Sequence, residues 1–219
     1  MKTTIRLFFA LLLFVGISCS EETDSPELNS VSLKATSKQT AAIGGLADIT
    51  GTSTLHRNKN GITVNFKAEN LHPGAYTIWW VIWNKPQECE VPGECLDGDF
   101  AIADDVEVEV MYAGGNVVGN NGKGNFSGHL NVDDASGSIN EEFFGLNSYG
   151  GLQSGNTFDA EVHVVLRTHG PAVPGLVNEQ IGSYEGGCDD PLLYLPFTVY
   201  PDVIGECADI AAAVFPPDN

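Results

Sequence analysis

The chain has 219 residues, with 29 Asp and Glu against 10 Lys and Arg, and a formal net charge of −19 at pH 7. A surface this acidic repels nucleic acid phosphates and anionic lipid head groups, which excludes nucleic acid as a partner. With 42% hydrophobic residues the chain can bury a real core within one domain, and a second domain is not required.

Residues 1–18 read as a secretory signal peptide: Lys2 and Arg6, then an apolar run from Leu7 to Ile17, too short to span a membrane by itself. Val15-Gly16-Ile17-Ser18-Cys19 also resembles a lipobox, although Gly16 stands where leucine is commonest. Cysteine arithmetic favours lipidation of Cys19, because without it five cysteines would enter an oxidising compartment and one would stay unpaired. The acidic run Ser20 to Asp24 resembles the tags that send lipoproteins to the outer face of some Gram-negative bacteria. The expectation is an outer-membrane, cell-surface lipoprotein held by its lipid anchor. Without Lys2 and Arg6, 8 Lys and Arg face 29 Asp and Glu, a net charge of −21.

Residues 19–42 are rich in Ser, Thr, Glu and Lys and are expected to form a solvated tether, so that the folded domain covers 43–219. Within it Ile62, Val64, Phe66 and Ala68 alternate with Thr63, Asn65, Lys67 and Glu69, a strand with one wet face, and Asn58-Lys59-Asn60-Gly61 before it is a hairpin turn. Tyr76–Trp83 is apolar on both faces, which predicts either a central covered strand or an aromatic outer face. Residues 105–112 predict Val106, Val108, Val110 and Tyr112 facing a core, with Asp105, Glu107, Glu109 and Met111 opposite. Gly119-Asn120-Asn121-Gly122 then predicts a second hairpin, returning with Phe126, Leu130 and Val132 inward.

In 157–169, Phe158, Ala160, Val162, Val164 and Leu166 share one face, while Asp159, Glu161, His163, Val165 and Arg167 share the other. Leu195–Tyr200, bounded by Pro196 and Pro201, is expected at a sheet edge. Ile210–Val214 is the nearest approach to a helical period and is too short to assign. Short strands joined by Gly, Pro and Asn turns predict an all-β fold, an antiparallel β-sandwich or partly closed barrel.

Four cysteines remain after Cys19 and allow three pairings; the local choice joins Cys89 to Cys95 and Cys188 to Cys207. A four-thiolate zinc site is the rival, but the spacing lacks a C-x2-C knuckle and export favours oxidation.

Candidate chemistry is sparse. His129 and His163 fall on the polar faces of their strands, and with Glu161 and His169 they are the candidate divalent metal (Cu/Zn) set. On a straight strand, however, His163 and His169 would stand roughly 20 Å apart. Trp79 and Trp83, with Asn84 beside them, would make a platform for stacking sugar rings if their face is exposed. Asp133, Asp134, Asn140, Glu141 and Glu142 are oxygen ligands of the kind calcium prefers, at spacing that does not match an EF-hand. No G-x-S-x-G elbow and no phosphate-cradling loop is present, so no catalytic residue is assigned.

Three blocks carry a resemblance: Ala75 to Asn84 with the following Cys89 and Cys95, Val110 to Gly119, and His163 to Pro171. Together they resemble a family of uncharacterised exported bacterial and archaeal all-β proteins. A more distant similarity is to chordin-repeat and Cu,Zn superoxide dismutase-like sandwiches. Trp79 and Trp80 replace the paired histidines expected there, so only the sandwich carries over.

The functional expectation is a non-enzymatic binding or structural domain with glycan or protein as partner, and loops Lys85–Asp99 and Gly170–Asp190 as its variable surface. The alternative is a metal-binding redox or storage protein using His129, His163 and His169.

Overall fold

The computed structural model describes residues 35–46, 48–188 and 207–218. Among them nine strands follow in chain order: β1 (Thr36–Ala42), β2 (Gly44–Gly45), β3 (Thr50–Asn58), β4 (Gly61–Glu69), β5 (Gly74–Trp83), β6 (Val108–Val118), β7 (Gly124–Asn131), β8 (Glu161–Thr168) and β9 (Ala208–Phe215). They form a four-stranded sheet ordered β1-β3-β4-β7 and a five-stranded sheet ordered β2-β9-β8-β5-β6. Every pairing is antiparallel, and the two sheets pack as a sandwich rather than closing into a barrel.

The alternating strand is β4, with Ile62, Val64, Phe66 and Ala68 buried as expected. It pairs with β3 through the Asn58–Gly61 turn, where Asn58 Oδ1 accepts from the Asn60 N–H at 2.8 Å. These side chains meet Tyr76, Ile78, Trp80 and Ile82 of β5 and Val162, Val164 and Leu166 of β8 in the inter-sheet core. Phe66 of β4 and Phe126 of β7, cross-strand neighbours in the four-stranded sheet, pack edge to face at 6.2 Å.

The two-sided apolar strand is β5, and all ten of its residues are buried. It runs between β6 and β8, and its second face carries a second apolar cluster: Trp79, Val81 and Trp83 packed with Ala103, Val106, Val108, Val110, Ile139 and the Cys89 and Cys95 pair. The long loop between β5 and β6 therefore acts as a third layer over the five-stranded sheet.

Four expectations need correction. The folded part starts at β1 rather than at Ile43, because Thr36–Ala42 is held by its backbone ladder to β3 and buries no large apolar side chain. Residues 103–106 form a helical turn, and β6 starts only at Val108 after Glu107, which sits at φ 47°. Glu109 and Met111 of β6, expected in water, are buried, whereas Tyr112 is exposed. The Gly119–Gly122 turn does not close a hairpin: β6 pairs with β5 and β7 with β4, so the chain crosses from one sheet to the other. Glycines permit that corner, since a Cβ on Gly114 would stand 2.6 Å from Ser127 O and one on Gly128 2.7 Å from Ala113 O. Ile210–Val214, left unassigned, is the centre of β9.

The signal segment, Cys19 and Leu195–Tyr200 lie outside the described residues. Both disulfides form in the local pairing, Cys89–Cys95 with Cα atoms 5.4 Å apart and Cys188–Cys207 at 5.5 Å. At one end of the sandwich the buried Arg57 of β3 joins the sheets. Its guanidinium donates to Gln39 Oε1 at 2.8 Å, Thr157 O at 2.9 Å, Ala160 O at 3.0 Å, Pro216 O at 3.2 Å and Phe215 O at 3.4 Å.

Candidate functional site

Among the described residues a cleft lies on the outer face of the five-stranded sheet, where the covering layer is incomplete. Its floor takes Trp79 and Val81 from β5, Val110 from β6, Val165 from β8 and Ala212 from β9. Phe100, Phe144 and Tyr184 rise from loops as walls, with the exposed carboxylates Asp97 and Asp209 at the edge. The cavity measures about 510 Å³, within the range of small-molecule sites.

The aromatic walls form one connected network. Trp79 meets Tyr112 at 5.4 Å and Tyr184 at 5.2 Å, both edge to face. Tyr184 also contacts Phe144 at 5.7 Å, and Phe144 stacks on Phe100 at 5.8 Å. Arg167 of β8 lies 3.9 Å above the Tyr184 ring, donates its Nε–H to Tyr184 O at 2.9 Å and pairs with Asp209 at 2.9 Å. A single arginine therefore fixes a wall and an edge of the cleft together. Burial first, and then Asp209, push the Tyr184 phenol up, with Arg167 opposing, so the ring stays neutral at physiological pH.

Behind the floor runs a buried polar chain. The Trp79 Nε1–H donates to Thr77 Oγ1 at 2.7 Å, and Thr77 Oγ1 lies 2.8 Å from His169 Nε2. His169 Nδ1 is 3.0 Å from Gly186 O, which can only accept, so Nδ1 carries the proton and Nε2 accepts from Thr77. Burial lowers the His169 pKa to about 4, against the bond to Gly186 and with help from Arg167, so the imidazole is neutral at pH 7.

The structure separates most residues singled out from sequence. Trp79, Trp83 and Asn84 form no exposed platform: they are 3%, 1% and 3% exposed, Trp79 packed against Tyr112 and Tyr184 and the other two beneath the β5–β6 loop. Trp83 packs on Phe100 at 5.1 Å. Asn84 organises the loops, donating to Glu107 O and Gly151 O and accepting from Gln153 N–H. Of the three, Trp79 alone lines the cleft.

The metal set also disperses. His129 belongs to the four-stranded sheet and faces outward, 2.8 Å from Thr63 Oγ1 and 3.1 Å from Asn131 Oδ1. His163 and Glu161 lie in the other sheet and bond each other at 2.6 Å, while Glu161 also accepts from Cys95 N–H at 3.0 Å. His169 is 0% exposed and engaged with Thr77 and Gly186. The acidic loop does not converge either. Asp133 accepts from Ser154 N–H, Asp134 from Ser136, and the buried Asn140 bonds the β6 backbone and Asn147 O, while Glu141 and Glu142 face solvent.

Sequence reasoning missed Phe100, Phe144, Tyr184, Thr77 and Asp209. The available signal was the presence of large aromatics inside Gly- and Asp-rich loops, where nothing local requires them. The two loops expected to form the variable surface do reach the cleft, contributing Asp97 and Tyr184.

Fold and cleft together define a disulfide-stapled antiparallel β-sandwich with an aromatic cleft on one outer face. No protein-family model matches the chain, and searches of curated proteins and of solved structures gave no match.

Proposed function

We propose that this chain is an exported, lipid-anchored binding module of the cell envelope that takes a saccharide in the cleft beneath Tyr184. The single observation that supports this reading is the composition of that cleft. Phe100, Phe144 and Tyr184 present aromatic surface beside the carboxylates of Asp97 and Asp209. Aromatic faces pack against the C–H faces of sugar rings, while Asp97 and Asp209 accept from hydroxyls. The lipid anchor at Cys19 is supported by cysteine parity, since the other four cysteines pair among themselves.

Saturation-transfer NMR with a panel of neutral and acidic oligosaccharides, followed by calorimetry, tests the reading. At least one neutral sugar should bind, and Phe144→Ala or Asp97→Asn should each weaken it about tenfold, near 1.4 kcal/mol. Both side chains are exposed enough for the fold to tolerate the change. A panel without binders, or binding indifferent to Phe144→Ala, refutes the reading. Cys19→Ser should move the full-length protein from the membrane to the soluble fraction.

A further inference from the structure

His169, Cys188 and Cys207 bring their ligand atoms within 4.8 Å of one another at the buried end of the Trp79–Thr77–His169 chain. The geometry points to a second function for this group: once the Cys188–Cys207 disulfide is reduced, the two thiolates and His169 Nδ1 hold a zinc ion. The site is distinct from the saccharide cleft, and neither reading depends on the other.

Three observations carry this. The first is distance. With metal–sulfur bonds of about 2.3 Å and metal–nitrogen bonds of about 2.0 Å, a tetrahedral site sets sulfur and nitrogen roughly 3.6 Å apart. Nδ1 stands 3.4 Å from Cys207 Sγ and 3.9 Å from Cys188 Sγ, on either side of that value. The sulfurs need only separate to roughly 3.8 Å, which side-chain rotation supplies once their bond is broken.

The second is the environment of the imidazole. His169 is 0% exposed, and its Nε2 is held by Thr77, the outer-sphere contact that fixes ring orientation in metal-binding histidines. On metal binding the ring proton moves from Nδ1 to Nε2 and the bond to Thr77 reverses: Nε2–H donates to the second lone pair of Thr77 Oγ1, which still accepts from Trp79, and the Thr77 O–H turns away from the ring. Gly186 O then loses its donor. It lies 4.0 Å from Cys188 Sγ, close enough to serve as a fourth, oxygen ligand.

The third is charge. Two thiolates buried beside a neutral imidazole carry two negative charges, and a dication cancels them where a monovalent ion would leave one uncompensated. Cys207 is partly exposed and Cys188 is 7% exposed, so reductant and metal approach from the Cys207 side of a strongly acidic molecule.

The chemistry balances with an external dithiol as reductant. Two electrons and two protons pass to Cys188 and Cys207 as the dithiol closes to its own disulfide, and zinc binding then releases the two thiol protons. In the oxidised protein the sulfurs are bonded to each other and the site is closed, so the disulfide acts as its gate.

The experiment uses the full mature chain under anaerobic conditions, with and without a phosphine reductant, titrated with cobalt(II) and then displaced by zinc. Reduced protein should bind one equivalent of cobalt with a thiolate charge-transfer band, and oxidised protein none. Cys188→Ser with Cys207→Ser should abolish the band, and Cys89→Ser with Cys95→Ser should retain it. His169→Gln, with all thiols intact, should weaken binding by about tenfold or more. No band on reduction, an unchanged affinity in His169→Gln, or a band that survives the Cys188 and Cys207 double change overturns the inference. Should reduction loosen the fold, zinc must raise the melting temperature of the reduced wild type but not of His169→Gln, and equal shifts overturn it as well.

Discussion

Arg57 offers the sharpest test of how the two sheets are held together. Its side chain is 1% exposed and makes five hydrogen bonds, one to Gln39 of β1 and four to carbonyls of Thr157, Ala160, Phe215 and Pro216 around β8 and β9. Burial lowers its pKa to about 10, against the pull of Asp218 and Asp159, so it is still charged at pH 7. Replacing it with methionine keeps most of the volume and removes the cost of desolvating the charge, but strips a donor from four carbonyls. At about 1 kcal/mol for each neglected carbonyl, less what is regained from the charge, the expected loss is about 3 kcal/mol. Arg57→Ala adds a cavity and should cost about 5 kcal/mol. Arg57→Lys, with one ammonium for a five-donor fork, should stay charged yet satisfy at most part of the set. In urea denaturation followed by circular dichroism, a slope of about 2 kcal/mol/M turns the methionine loss into a midpoint shift of about 1.5 M. A methionine variant within about 1 kcal/mol of wild type would refute the reasoning, because the four carbonyls would then have another source of donors.

Two further outcomes follow from buried groups on the other side of the sandwich. Glu109 is 0% exposed and accepts from Ser138, from Ser148 at 3.1 Å, from Tyr149 N–H at 2.6 Å and from Gly151 N–H at 3.1 Å. In Glu109→Met the Tyr149 and Gly151 N–H groups lose their acceptor, which should cost about 2 kcal/mol in the same denaturation assay and raise hydrogen exchange in the 138–151 loops. In the disulfide-closed protein, His169 is neutral when folded, with its pKa near 4, and titrates at its ordinary value of 6.5 when unfolded. The unfolded chain therefore takes up the proton first, and stability falls as pH drops from about 6.5 towards 4. The linkage relation gives a loss of about 2 kcal/mol between pH 7.5 and pH 5 that His169→Gln should not show, and equal pH slopes would count against it.

What the sequence made legible was the side of a strand that faces water, and little about which strand lies next to it. Ile62–Ala68 was readable because β4 has one wet face, so its polar and apolar residues had to alternate. Tyr76–Trp83 left two readings open because the answer depended on the β5–β6 loop lying over it, a long-range fact that no local period records. β9 escaped because Ala211, Ala212 and Ala213 pack closely where a larger strand residue would have announced itself. Gly119–Gly122 stated correctly that the chain turns there, but β7 pairs with β4 rather than with β6, a long-range choice that the turn residues do not record. The same limit governed the sites. His129 and His163 share polar-face parity, yet parity does not say which sheet a strand joins, and the two histidines ended in different sheets.

The cleft was illegible for a related reason. Phe100, Phe144, Tyr184 and Asp209 come from four separate stretches, and only the order β9-β8-β5-β6 brings them over one floor. His169 shows the converse. The strand expected over 157–169 is the shorter β8, Glu161–Thr168, and the polar chain through Thr77 to Trp79 exists because β5 pairs with β8 in a register that sets Thr77 opposite Arg167, near the end of β8, with His169 just beyond. Trp79 in the cleft floor and His169 beside the Cys188–Cys207 disulfide are therefore joined through Thr77 by one buried hydrogen-bonded segment, which the order of the strands creates and no local sequence pattern announces.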